Sequence, residues 1–210
     1  MHKRMNVAIL IYDGVELVDM NGPLDAFIHA NQFNGSRYNV YTVAAAAGPV
    51  LSENQIVTIL PQYSITDCPD PDIIVIPGTT SKRPTDPTLV AWIRQKGLNP
   101  EKIVMSVCIG AFVLAQTGLL NGRKATTHYL SITDLHTQYP EIDIVKNVRF
   151  VQDGNIVTSG GITSGIDGGL HLVETYDGPT IAQQTSDLMV YNRNSILPPY
   201  TILPPYYPHD

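Results

Sequence analysis

Ile103-Val-Met-Ser-Val-Cys-Ile-Gly-Ala-Phe-Val-Leu-Ala-Gln-Thr117 decides how the chain folds. Ile103 to Val107 is a short apolar run without alternation, the pattern of a strand buried on both faces. Gly110 to Thr117 places Phe112, Val113 and Leu114 in a helical pattern, and Gly118-Leu-Leu-Asn-Gly122 closes it with two glycines. Cys108 falls between them, on a turn where a strand passes almost directly into a helix. Repeated steps of this kind build an α/β domain around a parallel sheet.

The same step recurs on either side. Asp72-Ile-Ile-Val-Ile-Pro77 reads as a buried strand that runs into the small-residue turn Gly78-Thr79-Thr80, and Pro87 to Gly97 follows as an amphipathic helix. Val7 to Tyr12 is the first central strand, stopped by Asp13-Gly14. A helix follows from Asp19 or Asn21 to about Asn31, with its stop signal at Asn34-Gly35. Tyr38 to Ala45 is β-rich, and Gly48 to Leu60 resembles an antiparallel hairpin with Ser52-Glu53-Asn54 at its tip; both belong toward one side of the sheet. Further on, Ala125 to His128 reads as a short strand or its end, and Ser131 to Tyr139 as a helix. Val148–Val151 and Ile156–Ser159 form a hairpin turning at Asp153-Gly154. Gly160-Gly161 precedes Thr163 or Ser164, either of which suits the cap of a single long last helix running through Leu172 toward Ala182 and Met189. The organisation expected is one domain over residues 1–191 and a proline-rich tail over 192–210, where Leu-Pro-Pro-Tyr occurs twice and excludes a helix.

Composition narrows the function. With 43% hydrophobic and 15% charged residues in 210, the chain can bury a core on both sheet faces and is not disordered. A net charge of −6, with no basic block, offers no footprint for nucleic acid or an anionic membrane, so a small-molecule partner is expected. No apolar stretch of about 20 residues occurs, and the N-terminal apolar run is too short for a signal peptide, which points to the cytoplasm. The two cysteines, Cys68 and Cys108, are too few for a disulfide framework and lie in no metal-binding spacing. Neither a metal nor another cofactor is expected.

In an open parallel sheet, ligands bind beyond the carboxyl ends of the strands. Asp19, Gly78-Thr79 and Cys108-Ile109-Gly110 all fall there. Ser106-Val-Cys-Ile-Gly110 has the small-x-nucleophile-x-small spacing of a nucleophile elbow, in which small neighbours let a strained turn thrust one side chain outward. A helix N-terminus beside the thiol is expected to lower its pKa. The amides of Ile109 and of Gly78 or Thr79 could converge on an oxyanion. Taken locally, Cys108 also fits a small buried packing residue, Asp19 a helix cap, and His128 a hydrogen-bonded histidine near a strand end. Cys68, in Thr-Asp-Cys-Pro, has only a structural reading.

Five stretches in order carry a resemblance: Leu17-Val-Asp-Met-Asn-Gly-Pro23, Ile74-Val-Ile-Pro-Gly78, Ser106-Val-Cys-Ile-Gly-Ala111, Gly118 to His128 and Gly160-Gly-Ile-Thr-Ser-Gly-Ile-Asp167. Over roughly residues 6–190 the chain resembles the DJ-1/PfpI superfamily, and within it isonitrile hydratases and the amidase-like domain of AraC-type regulators. The resemblance implies a flavodoxin-like sandwich of the class I glutamine amidotransferase type, with a mostly parallel sheet between helices, and a homodimer. Cys108 then matches the reactive cysteine, Asp19 the nearby carboxylate and His128 the neighbouring histidine, for hydration of an isonitrile to an N-substituted formamide. Two positions depart from the pattern. Ile109 stands where hydratase-like members carry Thr and protease-like members His, and Gly78-Thr79 replaces a Gly-Gly pair. The alternatives are glyoxalase-like handling of reactive aldehydes, or a redox- or ligand-sensing domain without catalysis. The regulators' DNA-binding helices have no counterpart here, so no nucleic acid partner is expected.

Overall fold

A computed structural model describes residues 4–79 and 84–193 of the chain. The elements are β1 (Met5–Leu10), α1 (Leu17–Ala30), β2 (Tyr38–Ala44), β3 (Val50–Leu51), β4 (Thr58–Ile59), β5 (Tyr63–Ser64), β6 (Ile73–Ile76), α2 (Pro87–Gly97) and β7 (Ile103–Val107). They continue with α3 (Gly110–Gln116), β8 (Lys124–Ala125), α4 (Ile132–Gln138), β9 (Asp143–Ile144), β10 (Phe150–Asp153), β11 (Ile156–Ser159), α5 (Ser164–Asp177) and α6 (Pro179–Leu188).

The main sheet has seven strands in the order β10-β11-β7-β6-β1-β2-β5. All neighbours pair in parallel except β10, which runs antiparallel to β11. From β1 the chain crosses by α1 to β2 on one side and returns to place β6 on the other. The strand order therefore reverses between β1 and β6, and the loops after these two strands part there to leave a crevice at their carboxyl ends.

Period-two alternation sends the central strands' side chains to two apolar layers. Val7 and Ile9 of β1, Ile73 and Val75 of β6, and Met105 and Val107 of β7 pack with Phe27 of α1, Leu172 of α5 and Ala182 of α6. Ala8, Leu10, Ile74, Ile76 and Val104 face the opposite layer, with Ile93 of α2, Phe112 of α3 and Leu135 of α4. Helices α1 and α5 approach closely because glycines line the contact. A Cβ on Gly169 would lie 2.9 Å from the Ala26 Cβ, and one on Gly22 would lie 3.0 Å from Ile166.

The expected α/β order, the strand at 103–107 and the helix at 87–97 appear with those bounds. The hairpin near residues 48–60 forms a separate two-stranded sheet, β3-β4, and does not join the main one. Three expectations need correction. The last helix is two helices: Gly178 takes φ 88° and Pro179 starts α6, so the chain turns where apolar periodicity alone ran on. The first helix begins at Leu17, with Glu16 as its cap, so Asp19 lies inside the first turn. Neither Thr163 nor Ser164 caps α5 with its side chain in the expected manner. Thr163 occupies the cap position without a capping bond, and the Ser164 hydroxyl instead accepts the Gly161 amide at 2.6 Å. Of the expected tail, residues 194–210 lie outside the described residues.

Candidate active site

Cys108 follows β7 directly and takes φ 55°. This left-handed conformation is costly for a residue with a Cβ, by about 1 kcal/mol or more. The surroundings hold it there. Its amide donates to the Ser159 carbonyl at 3.1 Å and its carbonyl accepts the Thr127 hydroxyl at 2.9 Å. Beyond it, the chain can enter α3 only because Gly110 has no Cβ, which would collide with the carbonyl oxygens of Ile76 and Pro77. The small residue after the cysteine in the elbow pattern thus has a direct steric cause.

Asp19 is wholly buried at the switch point of the sheet. Its Oδ2 accepts the Gly78 amide at 2.9 Å and its Oδ1 the Ile162 amide at 2.8 Å, so the loops after β6 and β11 both clamp the carboxylate. The Glu16 carboxylate accepts the Asp19 amide at 2.7 Å. Burial, followed by the neighbouring Glu16 charge, pushes the Asp19 pKa up to about 7, against the two amide bonds that favour the ionised form. Gly78 brings the two reactive groups together. A Cβ there would meet the Asp19 carboxylate at 2.5 Å and the Cys108 Cβ at 3.0 Å, so only glycine leaves room for their approach.

Burial, then the Asp19 charge, raises the Cys108 thiol well above its ordinary range, and its bond to Asp19 acts in the same direction, while the Ile109 amide favours the thiolate. This corrects the lowered pKa expected from the helix terminus: α3 is only 7 residues long, and desolvation beside a carboxylate outweighs its N-terminus. A second correction concerns the oxyanion donors. The Gly78 amide is engaged by Asp19, whereas Ile109 directs its amide at the sulfur. Thr79 forms an isolated antiparallel bridge with Val15, and its hydroxyl lies 3.5 Å from the Asp13 carbonyl.

His128 lies beyond β8, before a single 3-10 turn at Tyr129–Ser131, with its ring 4.6 Å from that of Tyr129. A Cβ on Gly161 would be 3.0 Å from both the Cys108 Sγ and the His128 Cδ2, so Gly161 separates these side chains by no more than its own width. Burial lowers the His128 pKa and keeps the ring neutral near neutral pH. A cavity of about 560 Å³ opens on this side, bounded by Thr126, His128, Lys146, Arg149 and Gly161 among others.

Sequence reading thus named Cys108, Asp19 and His128, which converge. It missed Glu16, Tyr12 and the Gly161-Ile162 backbone. Glu16 stands three residues before Asp19, the spacing of an N-cap to the first turn, which was the available signal. Tyr12 read as the end of a strand. Its hydroxyl donates to the Pro77 carbonyl, fixing the peptide that presents Gly78 to Asp19. Cys68 packs half-buried against the layer of α2 to α4, away from the cluster. Among the described residues no group of His, Cys, Asp and Glu could hold a metal ion.

A family model described as DJ-1/PfpI family matches residues 5–175, and this span includes the elbow, Asp19 and the Gly160-Gly161 loop. The chain belongs to the DJ-1/PfpI family. Among members it is similar to an isonitrile hydratase of Pseudomonas putida, 32% identical over 182 residues that span 85% of this chain and 75% of the relative. It is also similar to the HTH-type transcriptional regulator CdhR of Pseudomonas aeruginosa, 30% identical over 88% of this chain, although the match spans only 54% of that regulator. A ThiJ/PfpI family protein from Pseudomonas syringae superposes with a TM-score of 0.78 at 29% identity, covering 92% of this chain and 78% of the other. Drosophila melanogaster DJ-1beta shares the fold, with a TM-score of 0.74 at 19% identity over 90% of this chain and 100% of the other. The mostly parallel sheet between two helical layers is the flavodoxin-like fold of this family.

Proposed function

We propose that this DJ-1/PfpI chain is a cysteine-dependent hydratase of a small carbon-nitrogen electrophile, most concretely an isonitrile. The observation that carries the reading is the buried Asp19, whose pKa of about 7 suits it to take and return one proton beside a thiol that stays protonated. The isonitrile hydratase among the relatives supports the choice of electrophile.

The steps balance with water as the one co-reactant. The Cys108 sulfur attacks the terminal isonitrile carbon as its proton passes to the Asp19 carboxylate, and Asp19 then delivers that proton to the same carbon. The product of this half is a thioimidate, with a new C–S and a new C–H bond. Water adds to the thioimidate carbon while Asp19 accepts one of its protons. Asp19 returns its proton to nitrogen, and on collapse the C–S bond breaks as the hydroxyl proton passes to sulfur, releasing the N-substituted formamide and the thiol. The neutral His128 ring, beside the sulfur, suits a hydrogen bond to nitrogen or to the entering water. Ile109 offers no hydroxyl to the sulfur, so its amide and Asp19 are left to orient it. The reading includes a cytoplasmic homodimer, supported by family membership; among the described residues no helix is long and apolar enough to cross a membrane.

A raised thiol pKa disfavours the redox-sensing alternative, which depends on an accessible thiolate. The test is turnover of a simple alkyl isocyanide, with formamide formation followed directly. Formation by the wild type, falling at least a hundredfold in Cys108→Ser and in Asp19→Asn, is expected from loss of the nucleophile or of the proton carrier. Methylglyoxal consumption without formamide formation would favour the glyoxalase-like reading and sink this one.

A further inference from the structure

The cavity beside Gly161 and His128 carries a charge pattern at odds with the chain as a whole. The chain has a net charge of −6, yet the residues bounding this cavity include Lys146 and Arg149 and no carboxylate. Its volume of about 560 Å³ lies within the range of sites for ligands much larger than a minimal isonitrile. Leu130 and Ile162 give it an apolar wall, and both are exposed in the monomer.

The two cations are not equivalent. The Arg149 Nε donates to Asp167 at 2.7 Å and its Nη2 to the Tyr191 hydroxyl at 2.8 Å, so that guanidinium is already neutralised. Lys146 is exposed and has no ion pair among the described residues. Burial keeps His128 neutral. The cavity therefore presents one positive charge without an ion pair among the described residues, an apolar wall, and Gly161, which lies against the sulfur. A single exposed ammonium matches a monoanion; a dianionic phosphate would call for more cations or a longer row of amides than the cavity offers.

We propose that this pocket selects substrates that carry a carboxylate, held by Lys146 while the electrophilic carbon reaches Cys108. The inference rests on the hydratase reading for the electrophile, but the anion subsite stands on the cavity alone. For isocyanoacetate the reaction adds one water, with oxygen and one hydrogen to the terminal carbon and one hydrogen to nitrogen, to give N-formylglycinate.

The experiment uses the full chain and two pairs of probes: isocyanoacetate against methyl isocyanide for turnover, and N-formylglycinate against N-methylformamide for binding by calorimetry. The expected result is a preference for isocyanoacetate in kcat/KM whose ratio falls about tenfold in Lys146→Ala, the effect of one charge-assisted hydrogen bond, and is restored in Lys146→Arg. N-formylglycinate should bind more tightly than N-methylformamide, again by about tenfold and dependent on Lys146. Turnover of both isocyanides with no preference would overturn the subsite and leave the hydratase reading in place. Lys146-dependent binding of N-formylglycinate without turnover of either isocyanide would sustain the subsite and sink the hydratase reading. Binding of N-formylglycinate that is unchanged in Lys146→Ala would overturn the subsite whatever the turnover.

Discussion

The Asp19 charge raises the Cys108 pKa, whereas the Asp19 pKa is itself raised by burial and by Glu16. The pair distinguishes acidity from reactivity. Replacing Asp19 by Asn removes the negative charge beside the sulfur, so the thiol pKa must fall. Alkylation of Cys108 by iodoacetamide at pH 8 should therefore speed up in Asp19→Asn by roughly an order of magnitude, while formamide formation falls. Slower alkylation in the variant would show that proton transfer to Asp19 outweighs the charge that it places beside the sulfur, and would contradict the sign of the electrostatic effect described above. The sequence could show the elbow because small residues flank Cys108, but not the sign of the thiol's shift. That sign depends on a carboxylate brought from α1 and on burial, neither of which is encoded within the elbow. Glu16 was hidden for a related reason, since a glutamate in a loop is equally compatible with solvent and with a cap.

At the scale of elements, the junction of α5 with the β2 side of the sheet rests on one carboxylate. Asp177 pairs with the Arg37 Nη1 at 2.7 Å and accepts the Tyr38 hydroxyl at 2.6 Å and the Asn34 amide at 2.9 Å. Both charged side chains are largely buried. Asp177→Ala leaves a buried guanidinium without its counter-charge, and a loss of about 3 kcal/mol in urea unfolding is expected. A loss below about 1 kcal/mol would show that water or the Tyr176 carbonyl, which already accepts from Arg37, takes over the role. The strand at 103–107 and the helix at 87–97 were legible because unbroken apolar runs and a Pro at the helix start are local signals. The break at Gly178-Pro179 was not, since Leu172 and Ala182 keep up an apolar pattern across it. Strands β5, β8 and β9, of two residues each, are too short to carry any period and exist only by pairing. Lys146 and His128 belong to different connections, and only the fold places them on one cavity.

The whole molecule carries the consequence of the buried acid in its stability. The Asp19 carboxyl loses its proton near pH 4 when unfolded and near pH 7 when folded. Between those values the native state binds more protons than the unfolded state, so the unfolding free energy contributed by this group falls as pH rises, and levels off above about 7. Asp19→Asn removes that slope. Its stability relative to the wild type, read from urea unfolding, should improve steadily from pH 4.5 to pH 7.5; a constant difference across the range would refute the assignment. The hairpin β3-β4 adds a different kind of consequence. It has its own small sheet, and it meets the rest through the Val15–Ser52 bridge, the Glu53 amide bond to the Val15 carbonyl and the Leu51 amide bond to Asp13, all on the loop that leads to Glu16 and Asp19. Val50 and Ile59 rest against the apolar layer of α1, α5 and α6, so the hairpin is anchored on its inner side and open to change on its outer one. Substitutions at its exposed Ile56 and Val57 would spare the two apolar layers and still act on the loop that carries the acids, so new chemistry can be explored there at little risk to the fold.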